Sequence, residues 1–257
     1  MSELFAEIRE AIENDVPHAV LTVVRGEPLG SKLLVYEDRQ PVGSIGDSDL
    51  NRRAVVIGRQ RLDDDTSGLA NLTGDVDLYV DVNARPPHLV IIGGVHTAIA
   101  LSKYGKILGF RVTVADPRER FASPARFPDV DELIVAWPDD ALAGIRIDSR
   151  TYIAILTHDP KFDEPALLAA LAQPARYIGA IGSRKTSLDR AERLRQQGIT
   201  EAQLARIHAP IGLNIGGRTP EEVALSIAAE IIAVRRGPRP PTSVENAEIE
   251  TSTVGEE

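Results

Sequence analysis

The pattern of hydrophobic and polar residues changes partway along the chain. Residues 3–13 repeat hydrophobic positions at helical spacing, and a second helix is predicted over residues 50–60. Short runs bounded by Gly and Pro predict strands; these are residues 19–24, 32–36, 41–45 and 76–82. The run Asp63-Asp64-Asp65 is predicted to form an exposed acidic turn. A small α+β unit is therefore expected at the start of the chain.

From His88 onward, strand-like and helix-like patterns alternate. Strands are predicted over residues 89–92, 111–115, 132–135, 152–156 and 176–181. Helices are predicted over residues 97–108, 165–171, 186–197 and 220–236. Such alternation is typical of a parallel sheet covered by helices on both faces and joined by right-handed crossovers. The sequence thus predicts an α/β protein with a Rossmann-like, doubly wound parallel sheet and a smaller α+β domain before it.

The domain boundaries follow from proline and composition. Residues 84–87 end in two prolines, which oppose both a continued helix and a central strand. We therefore expect a first domain over residues 1–85 and a Rossmann-like domain over residues 86–237. Residues 238–257 are rich in Pro, Ser, Thr and Glu, a composition that predicts a disordered tail.

Composition excludes several classes of function. The formal net charge is −9, which argues against binding to nucleic acid or to an anionic membrane. No apolar run approaches the roughly 18 residues that a membrane span needs, and the acidic start lacks the basic flank of a signal peptide. These features predict a cytoplasmic protein. Because the chain has no cysteine, disulfides, thiolate metal sites and a cysteine nucleophile are excluded.

The turn after residues 89–92 is typical of a mononucleotide-binding unit. Four apolar residues run into a glycine pair and a helix, and Asp116 follows at roughly the 20-residue offset of a ribose-binding acid. The pattern G-x-G-x-x-G/A reads here as Gly93, Val95 and Ala98. A valine at the middle position crowds the approach of the backbone to a pyrophosphate. The pattern therefore favours the fold more strongly than it favours dinucleotide binding.

Polar residues follow four of the predicted strands, where ligands of open α/β sheets bind. We take these residues as candidates for binding a cofactor: Gly93, Gly94, Val95, His96, Asp116, Arg118, Thr157, His158, Asp159, Gly182, Ser183, Arg184 and Lys185. If the strand assignments hold, they share one edge of the sheet. No catalytic residue and no metal ligand set is assigned.

Each of these groups has two interpretations. Residues 182–186 offer free backbone N–H groups, hydroxyls and two cations, which suits an anion, or they form an ordinary capped helix with solvated basic residues. His158 and Asp159 fit a base with its carboxylate or a pair of metal ligands, and they equally fit a turn that starts a helix. His96 either donates to a phosphate or caps its turn. Asp116 either binds ribose or ends a strand in an Asp-Pro turn.

Two further segments have open interpretations. The loop over residues 208–217 either closes over a ligand or forms a packing turn. Glu222, Ser226 and Glu230 recur every four residues and share one helix face, which we interpret as a solvated face.

Ordered motifs across the second half resemble a specific family. They are residues 91–118, 157–159, 177–185, 210–213 and 219–231. The set resembles the Rossmann domain of the xanthine dehydrogenase accessory factors, the XdhC/CoxI proteins. Residues 19–24, 32–35 and 43–46 are similar, more faintly, to the first domain of that family.

The resemblance implies a role in cofactor maturation. It implies that the protein binds the molybdenum cofactor (molybdopterin), assists its sulfuration by a separate cysteine desulfurase, and delivers it to a xanthine or carbon monoxide dehydrogenase-type apoenzyme. It also implies a homodimer. The family commonly has Gly-Ala-Gly-His where this chain has Gly93-Gly94-Val95-His96. It commonly has Gly-Gly-Cys where residues 46–48 read Gly-Asp-Ser.

Two other classes of function stay open. The same fold supports an NAD(P)-dependent oxidoreductase, in which Asp116 would favour NAD over NADP. The altered motifs in the first domain are also compatible with a partner-binding protein whose own site has decayed. The leading hypothesis is a non-catalytic cofactor chaperone.

Overall fold

The computed structural model of the protein describes residues 3–14 and 16–237. Its helices are α1 (Glu3–Glu13), α2 (Ser48–Asp64), α3 (His96–Ile107), α4 (Pro138–Ala143), α5 (Pro160–Leu171), α6 (Arg184–Gln196), α7 (Glu201–Leu204) and α8 (Pro220–Arg236). Its strands are β1 (His18–Arg25), β2 (Lys32–Tyr36), β3 (Val42–Ser44), β4 (Gly68–Thr73), β5 (Val76–Asn83), β6 (His88–Ile92), β7 (Arg111–Ala115), β8 (Glu132–Ile134), β9 (Thr151–Ile155), β10 (Tyr177–Ala180) and β11 (Ile207–His208). The tail predicted over residues 238–257 lies outside the described residues.

Strands β1 to β5 form one antiparallel sheet in the order β3-β2-β1-β5-β4. Successive side chains of a strand point to opposite faces, so Leu21 of β1 packs with α2 while Val20 belongs to the cluster under α1. Gly58 lets α2 approach the sheet closely, because a Cβ there would lie 3.0 Å from a methyl of Leu21. The sheet is therefore covered by one helix on each face.

Strands β6 to β11 form a parallel sheet in the order β11-β10-β9-β6-β7-β8. Counted from β6, this is the 3-2-1-4-5-6 order of dinucleotide-binding domains. Two separate hydrophobic clusters cover its faces, one built around α3 and α8 and the other around α4 and α5. The predicted fold class is confirmed.

Several elements differ from the sequence prediction. Helix α5 begins at Pro160 rather than at residue 165, because the Asp159 carboxylate accepts from the N–H of Lys161 and Pro160 takes the first helical position. Strand β4 is not predicted, because its sequence, GLANLT, contains few β-branched residues. Elements α4, α7 and β11 are short and carry little periodic signal.

The aspartate run does not form an exposed turn, so that prediction is wrong. Helix α2 continues through Asp64, and the aspartates face arginines of the parallel-sheet region. The Arg176 guanidinium lies 2.9 Å from Asp64, and Arg235 pairs with Asp65. Arg150 donates to the carbonyl of Leu62 over 2.6 Å. The acidic run therefore bridges the two sheets.

The change from one sheet to the other occurs between Asn83 and His88, across the two prolines. The division into two domains at residues 85 and 86 stays a prediction. Across the part of the chain that the structure describes, no helix combines the length and apolarity needed to cross a membrane.

Candidate functional site

The carboxyl ends of β6, β7, β9 and β10 lie at one edge of the parallel sheet, and the residues predicted to bind a ligand follow these ends. The structure sorts them into two groups. Four of those after β9 and β10 border an open cleft. Those after β6 and β7 lie around a turn whose space is occupied by other parts of the protein.

The cleft has a volume of about 780 Å³. It lies between the β10–α6 turn, the loop of residues 210–217 and the start of α8, and His158 reaches it from the end of β9. Of the predicted residues, those that line it are His158, Gly182, Ser183 and Arg184. Lys185, next in sequence, does not line it. The volume falls within the range of small-molecule sites, about 300–1,000 Å³.

Ser183 forms the N-cap of α6. Its hydroxyl accepts from the backbone N–H of Thr186 over 3.1 Å and lies 2.9 Å from the Thr186 hydroxyl. The preceding Gly182 has φ of +149°, a conformation that favours glycine. The turn thus brings the positive end of a 13-residue helix and the exposed Arg184 to the cleft.

A buried ion pair lies beneath this turn, and the sequence reasoning missed it. Arg190 is only 2% exposed, and its guanidinium donates to Asp163 over 2.9 Å and to the Ile181 carbonyl over 2.8 Å. The Thr157 hydroxyl donates to the same carboxylate. Burial raises the pKa of Asp163, while the hydrogen bond from Thr157 and the charge of Arg190 oppose that rise. Thr157 is therefore engaged within the protein.

Two nitrogens of Arg190, Nε and Nη1, are buried without a hydrogen-bond partner within the described residues. Such groups are costly, and they are commonly satisfied by water or an ion. Arg190 also lines the cleft. Its burial could have been suspected from sequence because Leu194, four residues on, shares its helix face and is apolar.

The loop of residues 210–217 is held against the sheet by Glu230. The Glu230 carboxylate accepts from the Tyr177 hydroxyl over 2.5 Å and from the Gly212 N–H over 2.9 Å. Burial alone would raise the pKa of Glu230, but hydrogen bonds from His208, Tyr177 and Gly212 hold it below its usual value. Ser226, which lies on the same face of α8 as Glu230, is buried and borders the cleft. The prediction of a solvated face is wrong for Ser226 and Glu230.

The glycine turn after β6 is closed. A Cβ on Gly94 would lie 2.4 Å from the carbonyl oxygen of Phe121, so the Phe121 segment packs directly over the turn. The Gly94 N–H donates to Asp116 over 2.9 Å, and its carbonyl accepts from Arg126 over 2.8 Å. Val95 packs against the core, and His96 is exposed at the start of α3. The space next to Gly94 is therefore filled by the protein, while the N-cap of α3, Val95, makes no side-chain capping hydrogen bond.

Asp116 is 1% exposed and its carboxylate is fully engaged. Besides Gly94, it accepts from the N–H of Arg118 over 2.9 Å and from two guanidinium nitrogens of Arg118, each over 2.8 Å. Burial would raise the pKa of Asp116, but these hydrogen bonds hold it below its ordinary value. Asp116 therefore fastens the turn and is not exposed to a ribose. Asp159, likewise, serves as the cap of α5.

The strand order defines a Rossmann-type domain with a cleft at the carboxyl edge of its sheet. Residues 89–231, more than half of the chain, match the family model described as the XdhC Rossmann domain. The chain belongs to that family, as the sequence motifs predict.

Individual relatives match over different lengths. YqeB from Escherichia coli K12 is 29% identical over 251 residues, 90% of this chain and 46% of YqeB. A protein from Bacillus subtilis 168, whose name makes it a probable component of xanthine dehydrogenase, is 29% identical over 66% of this chain and 50% of its own length. The molybdenum cofactor insertion chaperone PaoD from E. coli K12 is 35% identical over 37% of this chain and 30% of PaoD. The chain thus spans half or less of the length of these relatives.

A solved structure has the same fold. A crystal structure described as a xanthine dehydrogenase from Bacillus halodurans superposes with a TM-score of 0.65 at 20% identity, covering 98% of this chain and 69% of that one. At this identity the likeness supports the fold alone.

Proposed function

We propose that the protein binds the molybdenum cofactor in the cleft between the β10–α6 turn and the loop of residues 210–217. In this role it assists maturation of the cofactor and its insertion into a molybdenum hydroxylase of the xanthine or carbon monoxide dehydrogenase type. The observation that carries the proposal is Arg190, buried under the cleft with two nitrogens that lack a partner within the described residues.

The phosphate end of the cofactor suits the α6 side of the cleft. A helix N-terminus attracts anions through its free N–H groups and its dipole, and here it begins after Ser183. Arg184 borders the same space and adds an exposed cation. Arg190 adds a guanidinium from below; Asp163 pairs with one of its nitrogens over 2.9 Å, and two others lack a partner within the described residues. Together these groups fit a terminal phosphate.

The pterin end suits the rest of the cleft. Apolar side chains of Ile181, Ile215 and Val223 border it, together with the polar Asn214 and Ser226. Small-molecule sites commonly combine an apolar lining with a few polar groups that fix orientation. The molybdenum of the cofactor supplies redox chemistry to the enzyme that receives it, while this chain holds the phosphate and shields the ring.

The names of relatives support this role. PaoD is named as a molybdenum cofactor insertion chaperone, and the B. subtilis relative as a probable part of xanthine dehydrogenase. A molybdenum hydroxylase apoenzyme is therefore the partner that we propose, and the protein acts as a homodimer. Because the chain has no cysteine, any sulfur that enters the cofactor comes from a separate cysteine desulfurase and is not carried on this protein.

Binding of free molybdenum cofactor, measured by isothermal titration under anaerobic conditions, tests the proposal. Arg184→Gln is expected to weaken binding by about tenfold, since a hydrogen bond to a charged group contributes about 1.5–3 kcal/mol. Lys185→Gln removes the same charge one residue away, outside the cleft lining, and is the matched control.

Equal affinities of Arg184→Gln and Lys185→Gln would contradict the proposed site. A parallel titration with NAD⁺ tests the oxidoreductase alternative. Tight NAD⁺ binding, with turnover of a carbonyl substrate, would replace the chaperone role by that alternative.

A further inference from the structure

A second cavity lies at the opposite edge of the parallel sheet, where β6, β7 and β9 begin. Its volume is about 210 Å³. Four arginines, one carboxylate and a histidine dominate its lining: Arg85, Arg111, Arg146, Arg150, Asp148 and His88. On a chain with a net charge of −9, such a concentration of arginines is unexpected. Sites for drug-sized ligands usually have volumes of about 300 Å³ or more. This cavity is smaller, so it suits a small ion.

Arg150 is the unusual member of this cluster. It is 6% exposed, and its guanidinium donates to the backbone carbonyls of Leu62, Asp63 and Arg85. No carboxylate within the described ranges pairs with it. Its Nε atom is buried and has no partner among those residues. Desolvation lowers the pKa of Arg150, and the nearby charges of Asp65 and Glu37 oppose that shift. An arginine keeps its proton in proteins, so the cluster contains a buried positive charge that no carboxylate of the described residues contacts directly.

The other charged side chains around the cavity pair with one another. Glu37 and Asp148 lie 3.0 Å and 3.3 Å from the Arg85 guanidinium, and Glu132 lies 2.9 Å from that of Arg111. Arg146 has Asp148 at 3.6 Å, shared with Arg85. Burial and the charge of Arg111 lower the pKa of His88, so its ring is neutral near pH 7. Among the residues that line the cavity, four are arginines and one, Asp148, is a carboxylate.

We propose that this cavity binds a small oxyanion of the phosphate or sulfate class. Guanidinium groups are suited to such ligands because their planar N–H forks match the oxygens of the anion. The exposed arms of Arg111 and Arg146 reach the ion from the solvent side, and Arg150 supplies the buried charge. This site is independent of the proposed cofactor cleft, which lies at the other edge of the sheet.

The anion also links the two sheets. Arg85 and Arg150 both contact the antiparallel-sheet region, Arg85 through Glu37 and Arg150 through the last turn of α2. A ligand that binds only the arrangement with both arginines in place stabilises that arrangement by mass action. The occupied site therefore raises the stability of the contact between the two sheets.

Thermal unfolding with inorganic phosphate and with sulfate tests this site. The melting temperature of the wild-type chain is expected to rise more with either anion than with chloride at the same ionic strength. Because sulfate and phosphate also stabilise folded proteins generally, the effect of the site is the difference in this rise between the wild type and a variant of the cavity. The double variant Arg111→Gln/Arg146→Gln is expected to bind the anion at least about tenfold more weakly. Both side chains are more than half exposed, so the variant folds without leaving a buried gap.

Two single variants complete the experiment. Arg52→Gln removes an equally exposed arginine far from the cavity, and it is expected to keep the full response to phosphate. Arg184→Gln, in the cofactor cleft, is expected to keep a larger phosphate response than Arg111→Gln/Arg146→Gln. An effect of phosphate no larger than that of chloride, or an equal response in the double variant and in Arg52→Gln, would overturn the inference. Loss of the response in Arg184→Gln alone would overturn it and leave the cofactor cleft supported.

Discussion

The turns after β6 and β10 both join a buried parallel strand to a helix, and both use a glycine with positive φ, Gly93 at +102° and Gly182 at +149°. Around the first turn, the protein supplies its own partners: Asp116 accepts from Gly94, and Phe121 packs against it. Around the second turn, an open cleft remains, with nitrogens of Arg190 that have no partner within the described residues. A glycine turn in this fold therefore marks a ligand site only where the chain leaves the space above it free.

The largest expected effect comes from the buried pair under the open turn. Arg190→Met leaves the Asp163 carboxylate buried without its partner, and we expect the free energy of unfolding to fall by about 3–5 kcal/mol. Urea unfolding at pH 7 measures this loss.

The double variant Asp163→Leu/Arg190→Met separates stability from binding. Since hydrophobic replacement of a whole buried pair is often neutral, much of the lost stability is expected to return. Affinity for the cofactor is not expected to return, because the charge is gone. Recovery of both would show that Arg190 acts only on the fold.

A substitution at the closed turn after β6 is expected to change stability but not cofactor binding. Asp116→Asn removes charge-assisted hydrogen bonds from Arg118 and Gly94, and should lower the free energy of unfolding by about 2 kcal/mol at pH 7 without changing cofactor affinity. The native pKa of Asp116 is lowered, so its contribution is present above the unfolded pKa of about 3.9 and is lost as the pH falls through the native pKa. The difference between wild type and variant should therefore vanish in acid. Weaker cofactor binding by this variant would place the ligand at the closed turn.

The smallest expected effect on stability concerns two glycines in the loop of residues 210–217. Ala at Gly212 (φ +92°) would put its Cβ 2.4 Å from the Ser226 hydroxyl, whereas Ala at Gly216 (φ +76°) meets no atom within 4 Å. Both variants carry backbone strain, but the clash should make Gly212→Ala less stable than Gly216→Ala by about 1 kcal/mol or more. The two variants are compared by their stability, measured by urea unfolding, because Gly212 and Gly216 both line the cleft. Equal behaviour of the two variants would exclude a role for the Gly212 contact.

Much of the fold could be predicted from sequence, because periodicity and caps are local. The α8 helix follows from Thr219, Pro220 and Glu222, which form the capping box that the structure contains. Strand β11 could not be predicted, since two residues carry no period. The start of α7 does carry a signal in the sequence, the capping box of Thr200 and Gln203, which periodicity alone does not detect.

The candidate site was harder to predict than the fold. The sequence places polar residues at the carboxyl edge of the sheet, but it does not show which of them form hydrogen bonds within the protein. Asp116 matches a ribose-binding acid by its spacing, and only the three-dimensional contact with Arg118 reveals its structural use. The apolar Leu194 on the same helix face hints that Arg190 is buried, but its partner Asp163, 27 residues away, is known only from the structure.

Hydrogen–deuterium exchange with and without free molybdenum cofactor tests the central claim most directly, because it reports on both turns in one experiment. The account predicts slower exchange over residues 182–187 and 209–217 and unchanged exchange over residues 93–99. Protection of residues 93–99, with none at the β10–α6 turn, would contradict it.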